Sequence, residues 1–145
     1  MLNSLRHVGI VVSNMDASIE FWQSTFEFNL VKRVKEQGPI IDKVLGLEDV
    51  DLETAKLLGP GNFLLELLCF NSHPDNEKWI GEPYSTGITH IAFNVKNLDE
   101  VYERLSADKL IFANTPQISV DGMVKVIYAR CPDGVFLELV EELKL

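Results

Sequence analysis

His7-Val8-Gly9-Ile10-Val11-Val12-Ser13-Asn14-Met15-Asp16 and His90-Ile91-Ala92-Phe93-Asn94-Val95-Lys96-Asn97-Leu98-Asp99 are two versions of one stretch, offset by 83 residues. The shift aligns His7 with His90, Val12 with Val95, Asn14 with Asn97, Asp16 with Asp99 and Glu20 with Glu103. In each copy an apolar, partly β-branched run reads as a strand. An Asn two residues ahead of an Asp then reads as a helix start, because the Asn side chain caps free N–H groups and the helix dipole favours the acid. Ile19, Trp22 and Phe26 recur at helical spacing and predict the buried face of the first helix.

Each copy ends in a strand-like run with a glutamate among apolar residues: Phe63-Leu64-Leu65-Glu66-Leu67-Leu68 and Val135-Phe136-Leu137-Glu138-Leu139-Val140. Between these landmarks the first half predicts strands at 28–34, 52–58 and 62–70, with a short helical insert at 40–47 ending at Gly46. The second half predicts strands at 88–95, 110–113, 123–129 and 135–141, and a helix from Asn97 to about Ala107. Residues 71–86, with Pro74, Gly81 and Pro83, read as a linker. Each half is thus β-α-β-β-β, and the fold class is α+β: one domain over 1–145, made of two βαβββ modules at about 1–71 and 87–145. The first module has 59 residues from His to Glu and the second 48, and the difference falls in the insert between Pro39 and Val50.

A chain of 145 residues with 46% hydrophobic and 24% charged residues has the composition of a globular protein. The net charge of −9 argues against a nucleic-acid partner, which needs a basic face. It argues weakly against a strongly anionic substrate, although a local basic pocket overrides a whole-protein field. Cys69 and Cys131 lack C-x-x-C spacing, so reduced thiols are expected. Neither a leader pattern nor a membrane-length apolar run is read, and the expected location is the cytoplasm.

Strand alternation places His7 on one face with Gly9 and Val11, and Glu66 on one face with Leu64 and Leu68. If the first and last strands of a module both line the concave face of a curved sheet, His7 converges with Glu66, and His90 with Glu138. Two imidazoles and two carboxylates form an N2O2 set suited to a divalent transition metal. A lone strand histidine is more often a core or surface group than a ligand. An unpaired carboxylate in an apolar run is expensive, however, and a metal would satisfy both glutamates. His73 reads as a surface residue. Asn14, Asp16, Asn97 and Asp99 read as helix-start residues, and Cys69 is phased away from the metal face.

The His7–Val12 strand with its Asn-x-Asp, Glu66 within 63–67, Gly87-Ile88-Thr89-His90-Ile91-Ala92-Phe93, and Pro132-Asp133-Gly134 before Leu137-Glu138-Leu139 together resemble the vicinal oxygen chelate superfamily. The resemblance spans nearly the whole chain. It implies paired βαβββ modules forming a cupped mixed β-sheet around a metal site, with His7, Glu66, His90 and Glu138 at the four ligand places. The full set is most similar to glyoxalase I and nearly as similar to methylmalonyl-CoA epimerase. Extradiol dioxygenases and fosfomycin enzymes typically use two histidines and one glutamate, and bleomycin binders usually lack the ligands. The epimerase pattern has an acid on the third strand near Ala55, for which Glu53, on the same face, is the candidate substitute. The insert is expected to shape the substrate pocket.

The resemblance implies one divalent ion (Zn, Ni, Co, Mn or Fe) and proton transfer next to the carbonyl of a small α-hydroxycarbonyl, thiohemiacetal or acyl-thioester substrate, by a lyase or isomerase. Glu138 and Glu66 are the candidate catalytic bases. The alternatives are an Fe(II) ring-cleaving dioxygenase using His7, His90 and Glu138, and a non-enzymatic small-molecule binder. The expected partners are a small-molecule substrate and a second copy in a homodimer, with neither nucleic acid nor membrane.

Overall fold

In the computed structural model, the structure is described for residues 2–73, 79, 81–106 and 110–143. The chain forms two compact units, Met1–Glu77 and Lys78–Leu145, and the boundary falls inside the expected linker. The architecture is α+β, with one mixed sheet in each unit.

In the first unit, β1 (Val8–Val11) leads into α1 (Met15–Phe26), followed by β2 (Asn29–Gln37), α2 (Pro39–Leu45), β3 (Asp51–Leu58) and β4 (Leu64–Phe70). The strand order is β1-β4-β3-β2, with β1 parallel to β4 and the other neighbours antiparallel. Asn14 caps α1 by accepting from the Ala17 amide at 3.0 Å, as its sequence context predicts. The helix buries Met15, Ser18, Ile19, Phe21, Trp22 and Thr25, a broader face than three periodic apolar residues suggest. Ile10, Leu57, Leu65 and Leu67 are buried on the sheet's helix-packed side. Trp22 lies edge-on to Phe28 at 5.2 Å between ring centres.

The insert forms α2, which ends on the left-handed Gly46 and buries none of its own residues. The Asp42 carboxylate accepts from the Val50 amide at 2.9 Å and fastens the return into β3.

The second unit repeats the plan: β5 (His90–Asn94), α3 (Leu98–Ser106), β6 (Ile111–Phe112), β7 (Gln117–Ile118), β8 (Val124–Arg130) and β9 (Phe136–Glu142). Its path is β5-β9-β8-β6, with β7 also paired to β8. The four-residue strand expected at 110–113 is shorter, and β7 is an addition. Ala113-Asn114-Thr115-Pro116 interrupts what is one long strand in the first unit, since Pro116 has no N–H to donate and Asn114 turns its side chain onto the Thr115 amide. The expected end of α3 at Ala107 lies outside the described residues.

Asn97 accepts from the Glu100 amide at 3.3 Å, and its own amide side chain donates to Glu100 at 3.2 Å. Glu141, facing the helix, accepts from the Leu98 amide at 2.9 Å. The Arg130 guanidinium lies 4.1 Å from the Phe136 ring centre and donates to the carbonyls of Gly134 and Gly81, tying Gly81 to the sheet.

The repeated helix-start acids are tied to their sheets in matching ways. Arg33 bridges Asp16 at 2.5 Å and Glu53 at 2.8 Å, while Lys125 holds Asp99 at 2.5 Å. Arg33 pulls the Glu53 carboxyl below the usual carboxylate range, chiefly through the hydrogen bond between them. Its stabilising effect is therefore present above the unfolded carboxylate pKa and disappears as pH falls through the lower folded value. Arg33→Ala is expected to lower stability by about 1 kcal/mol near neutrality, since the pairs are partly solvated, and by less in acid. Urea unfolding at the two pH values checks this.

Gly59 is required for space. A Cβ there would lie 2.4 Å from the ring of Phe28, itself 3% exposed. Gly59→Ala should destabilise the fold by about 1–3 kcal/mol, and Phe28→Leu in the same chain should recover part of that loss. Paired unfolding curves of the single and double variants measure the recovery.

Candidate metal-binding pairs

Both glutamates lie in the central strand of their sheets. In the first unit, Gly9 on β1 and Lys56 on β3 are the register partners of Glu66. In the second, Ala92 on β5 and Tyr128 on β8 are the partners of Glu138. Register partners share a sheet face, so each carboxylate has a small residue on one side and a polar side chain on the other. Gly9 and Ala92 keep the histidine side of each carboxylate uncrowded.

His7 comes just ahead of β1 and points to the face carrying Gly9. Its Nε2 is 3.0 Å from Glu66 Oε2, with side chains 29% and 14% exposed. The same contact recurs in the second unit, where His90 Nε2 is 3.2 Å from Glu138 Oε2, with exposures of 34% and 24%. Within each unit, sequence-predicted partners therefore meet. Among the described residues, no group of three or more His, Cys, Asp or Glu side chains is gathered closely enough to hold a metal ion.

The donor set fits a divalent metal. Two ligands each about 2.0–2.2 Å from an ion, at tetrahedral or right-angle geometry, lie roughly 2.8–3.6 Å apart. Both Nε2–Oε2 distances fall in that interval. His7 Nδ1 is buried without a hydrogen-bond partner among the described residues, so Glu66 is the polar contact of that ring. His90 Nδ1 lies 3.0 Å from the Thr89 hydroxyl, which helps to orient its ring.

Two residues at these sites were missed in the sequence. Lys56 Nζ is 3.3 Å from Glu66 Oε1, so both oxygens of that carboxylate have partners. The Tyr128 hydroxyl lies 3.4 Å from each nitrogen of His90, and the two rings are edge-on with centres 5.1 Å apart. Lys56 and Tyr128 each stand ten residues before their glutamate, on the same alternation phase. That shared offset is the signal that identifies them, once each is recognised as lying across a hairpin from the glutamate.

Two expectations need correction. Glu53 and Ala55 alternate with Lys56 and so lie on the helix-packed side, opposite Glu66; Glu53 is held by Arg33 and cannot stand in for an acid at the metal face. The Glu66-containing strand begins at Leu64, because Pro60–Asn62 forms a single 3-10 turn. A recess of about 230 Å³ on the Glu66 side is lined by Lys32, Val34, Glu36, Thr54 and Lys56. Other readings stand: Cys69 pairs in register with Glu53, away from Glu66, and His73 is exposed.

Burial and, secondarily, the negative charge of Glu138 raise the Tyr128 phenol above its ordinary pKa. Both effects disfavour phenolate. In metal-free protein, the ultraviolet titration of Tyr128, identified by its loss in Tyr128→Phe, should occur at higher pH than a free tyrosine. Glu138→Gln should shift it part of the way back down. An unchanged midpoint in Glu138→Gln would mean that the charge has no influence on the phenol.

Comparison with known proteins agrees with this architecture. The metallothiol transferase FosB of Shouchella clausii is 31% identical over 144 residues, covering 96% of this chain and 80% of FosB. A glyoxalase family protein from Bacillus cereus has a crystal structure matching with a TM-score of 0.88 at 25% identity, over 99% of this chain and 97% of that chain. The fosfomycin resistance protein FosX of Listeria monocytogenes, complexed with Mn(II) and sulfate, shares the fold at 16% identity, with a TM-score of 0.66 over 99% and 95% of the two chains. The sequence profile of one superfamily matches residues 4–139, so the chain belongs to the Glyoxalase/Bleomycin resistance protein/Dioxygenase superfamily.

Proposed function

We propose that this protein is a metal-dependent enzyme that moves a proton next to the carbonyl group of a small substrate, with His7, Glu66, His90 and Glu138 as ligands of one divalent ion. The observation that carries this reading is the recurrence of a His–Glu contact at ligand spacing in both units. FosB is a metallothiol transferase by name, and FosX binds Mn(II); both support a metal in this superfamily member. We further propose one domain over 1–145 and a two-fold homodimer, the commonest closed symmetry of soluble oligomers. Free Cys69 and Cys131 agree with a cytoplasmic protein. Among the described residues, no helix is long and apolar enough to cross a membrane.

When bound, the ion would polarise the substrate carbonyl and stabilise negative charge developing on its oxygen. Glu138 takes the proton from the adjacent carbon and returns it to the product, and Glu66 is the second candidate for that role. Tyr128, kept protonated by burial and by Glu138, donates a hydrogen bond to a substrate oxygen. The substrate classes this chemistry accepts are α-hydroxycarbonyls, thiohemiacetals and acyl thioesters.

The 31% identity to FosB favours a second reading, metal-assisted thiol transfer. Glu66 separates the two, because fosfomycin enzymes typically use two histidines and one glutamate. Under the four-ligand reading, Glu66→Gln and Glu138→Gln each weaken zinc or manganese binding by at least about tenfold, as measured by competition with a chelating dye. Unchanged affinity in Glu66→Gln would refute the four-ligand site and turn attention to thiol transfer. Proton transfer itself is tested in D2O: metal-loaded protein should catalyse deuterium exchange at the α-carbon of a hydroxycarbonyl or thioester, and Glu138→Gln should slow it by about 100-fold or more.

A further inference from the structure

The Glu66 face of the first sheet carries two positive charges side by side in an acidic protein. Lys32 on β2 and Lys56 on β3 are direct register partners, so their side chains leave the same face of adjacent antiparallel strands. Like charges directly opposite one another destabilise a sheet. Both line the 230 Å³ recess with Val34, Glu36 and Thr54. Glu36 is four residues along the strand from Lys32, on the same face, and accepts a hydrogen bond from Thr54 at 3.2 Å. Lys56 reaches Glu66, whereas Lys32 forms no ion pair among the described residues.

The second unit has no such pair. Tyr128 replaces Lys56 as the register partner of the glutamate, and the break between β6 and β7 leaves no described strand residue opposite Tyr128 on that side. The lysine pair is therefore a property of the first module, not of the repeated scaffold. Its recess is smaller than the roughly 300–1,000 Å³ typical of a drug-sized ligand, a size suited to one functional group.

We propose that Lys32 and Lys56 form a subsite for an oxyanionic group of the substrate, a carboxylate or a phosphate-like group, beside the His7–Glu66 pair. This deepens the metal-centre reading and rests on it, because that reading puts the reacting part of the substrate next to Glu66. Lys56 already holds a carboxylate oxygen at 3.3 Å, the kind of contact a substrate acid group would make. With Glu66 holding a metal ion, the Lys56 ammonium would be free to meet the substrate. Lys32, across the strands, supplies the second charge. The net charge of −9 repels anions at long range, so this subsite acts only at contact distance and selects instead of steering.

The test uses the full chain without metal at low ionic strength, where partly exposed charges are least screened. Inorganic phosphate and, separately, acetate are titrated by calorimetry. Phosphate is expected to bind, with Kd rising about tenfold in Lys32→Gln and in Lys56→Gln and recovering in Lys32→Arg, as loss of a charged hydrogen bond requires. Glu66→Gln, which frees Lys56, should bind phosphate more tightly than the native chain. Acetate binding with the same lysine dependence marks the subsite as open to carboxylates; phosphate binding alone marks it as tetrahedral. The proposal is overturned if neither probe binds the native chain, or if both lysine variants unfold normally and bind phosphate as the native chain does. Zinc binding by Glu66→Gln is measured in parallel: retained zinc would remove the four-ligand reading and leave the phosphate result to decide the anion subsite.

Discussion

A carboxylate in the central strand of each sheet sets the terms for its surroundings. Removing an ionised group from water is expensive unless partners replace the lost hydration. Glu66 has an imidazole on one oxygen and an ammonium on the other. Glu138 has an imidazole, with a phenol nearby. The register fixes these neighbours: small residues stand at Gly9 and Ala92, and polar ones at Lys56 and Tyr128. Parallel pairing of the first and last strands of each module brings the histidine to the carboxylate, and the intervening helix covers the other face. One repeated topology thus supplies both a leucine-rich side that holds the fold and a polar side that can hold chemistry.

The balance between the two faces also explains why acids of similar sequence context have different roles. Glu53 and Glu141 lie on the helix-packed faces and serve the fold, the first through Arg33 and the second by capping α3. Glu66 and Glu138 lie on the opposite faces and meet imidazoles. A single residue of strand phase separates a structural acid from a candidate ligand.

Much of this was legible in the sequence because it depends on short-range pattern. The strand-cap-helix units at 7–16 and 90–99, the C-terminal stop of the insert at Gly46 and the glutamate strands all follow from periodicity, capping and turn chemistry. The convergence of each histidine with its glutamate followed from alternation plus the assumption of a concave face. Lys56 and Tyr128 were not legible, because hairpin register depends on the length of the turn, and Gly59 through Phe63 contains a 3-10 turn whose last residue, Asn62, the sequence pattern assigns to the strand. The division of the second strand of the later module was also missed. A strand of two residues carries no measurable periodicity, and only Pro116 hinted at the break.

The two modules keep their metal-ligand candidates alike but differ in the residue beside each glutamate. His and Glu recur, yet the third member of each row is a cation in one and a phenol in the other. A duplicated scaffold that needed only to satisfy a buried carboxylate would find either solution sufficient in both places. An ammonium brings a full positive charge that attracts an anion, whereas a phenol held protonated offers a directional donor without charge. Lys56 and Tyr128 therefore give the two glutamates neighbours of different chemistry, one charged and one neutral.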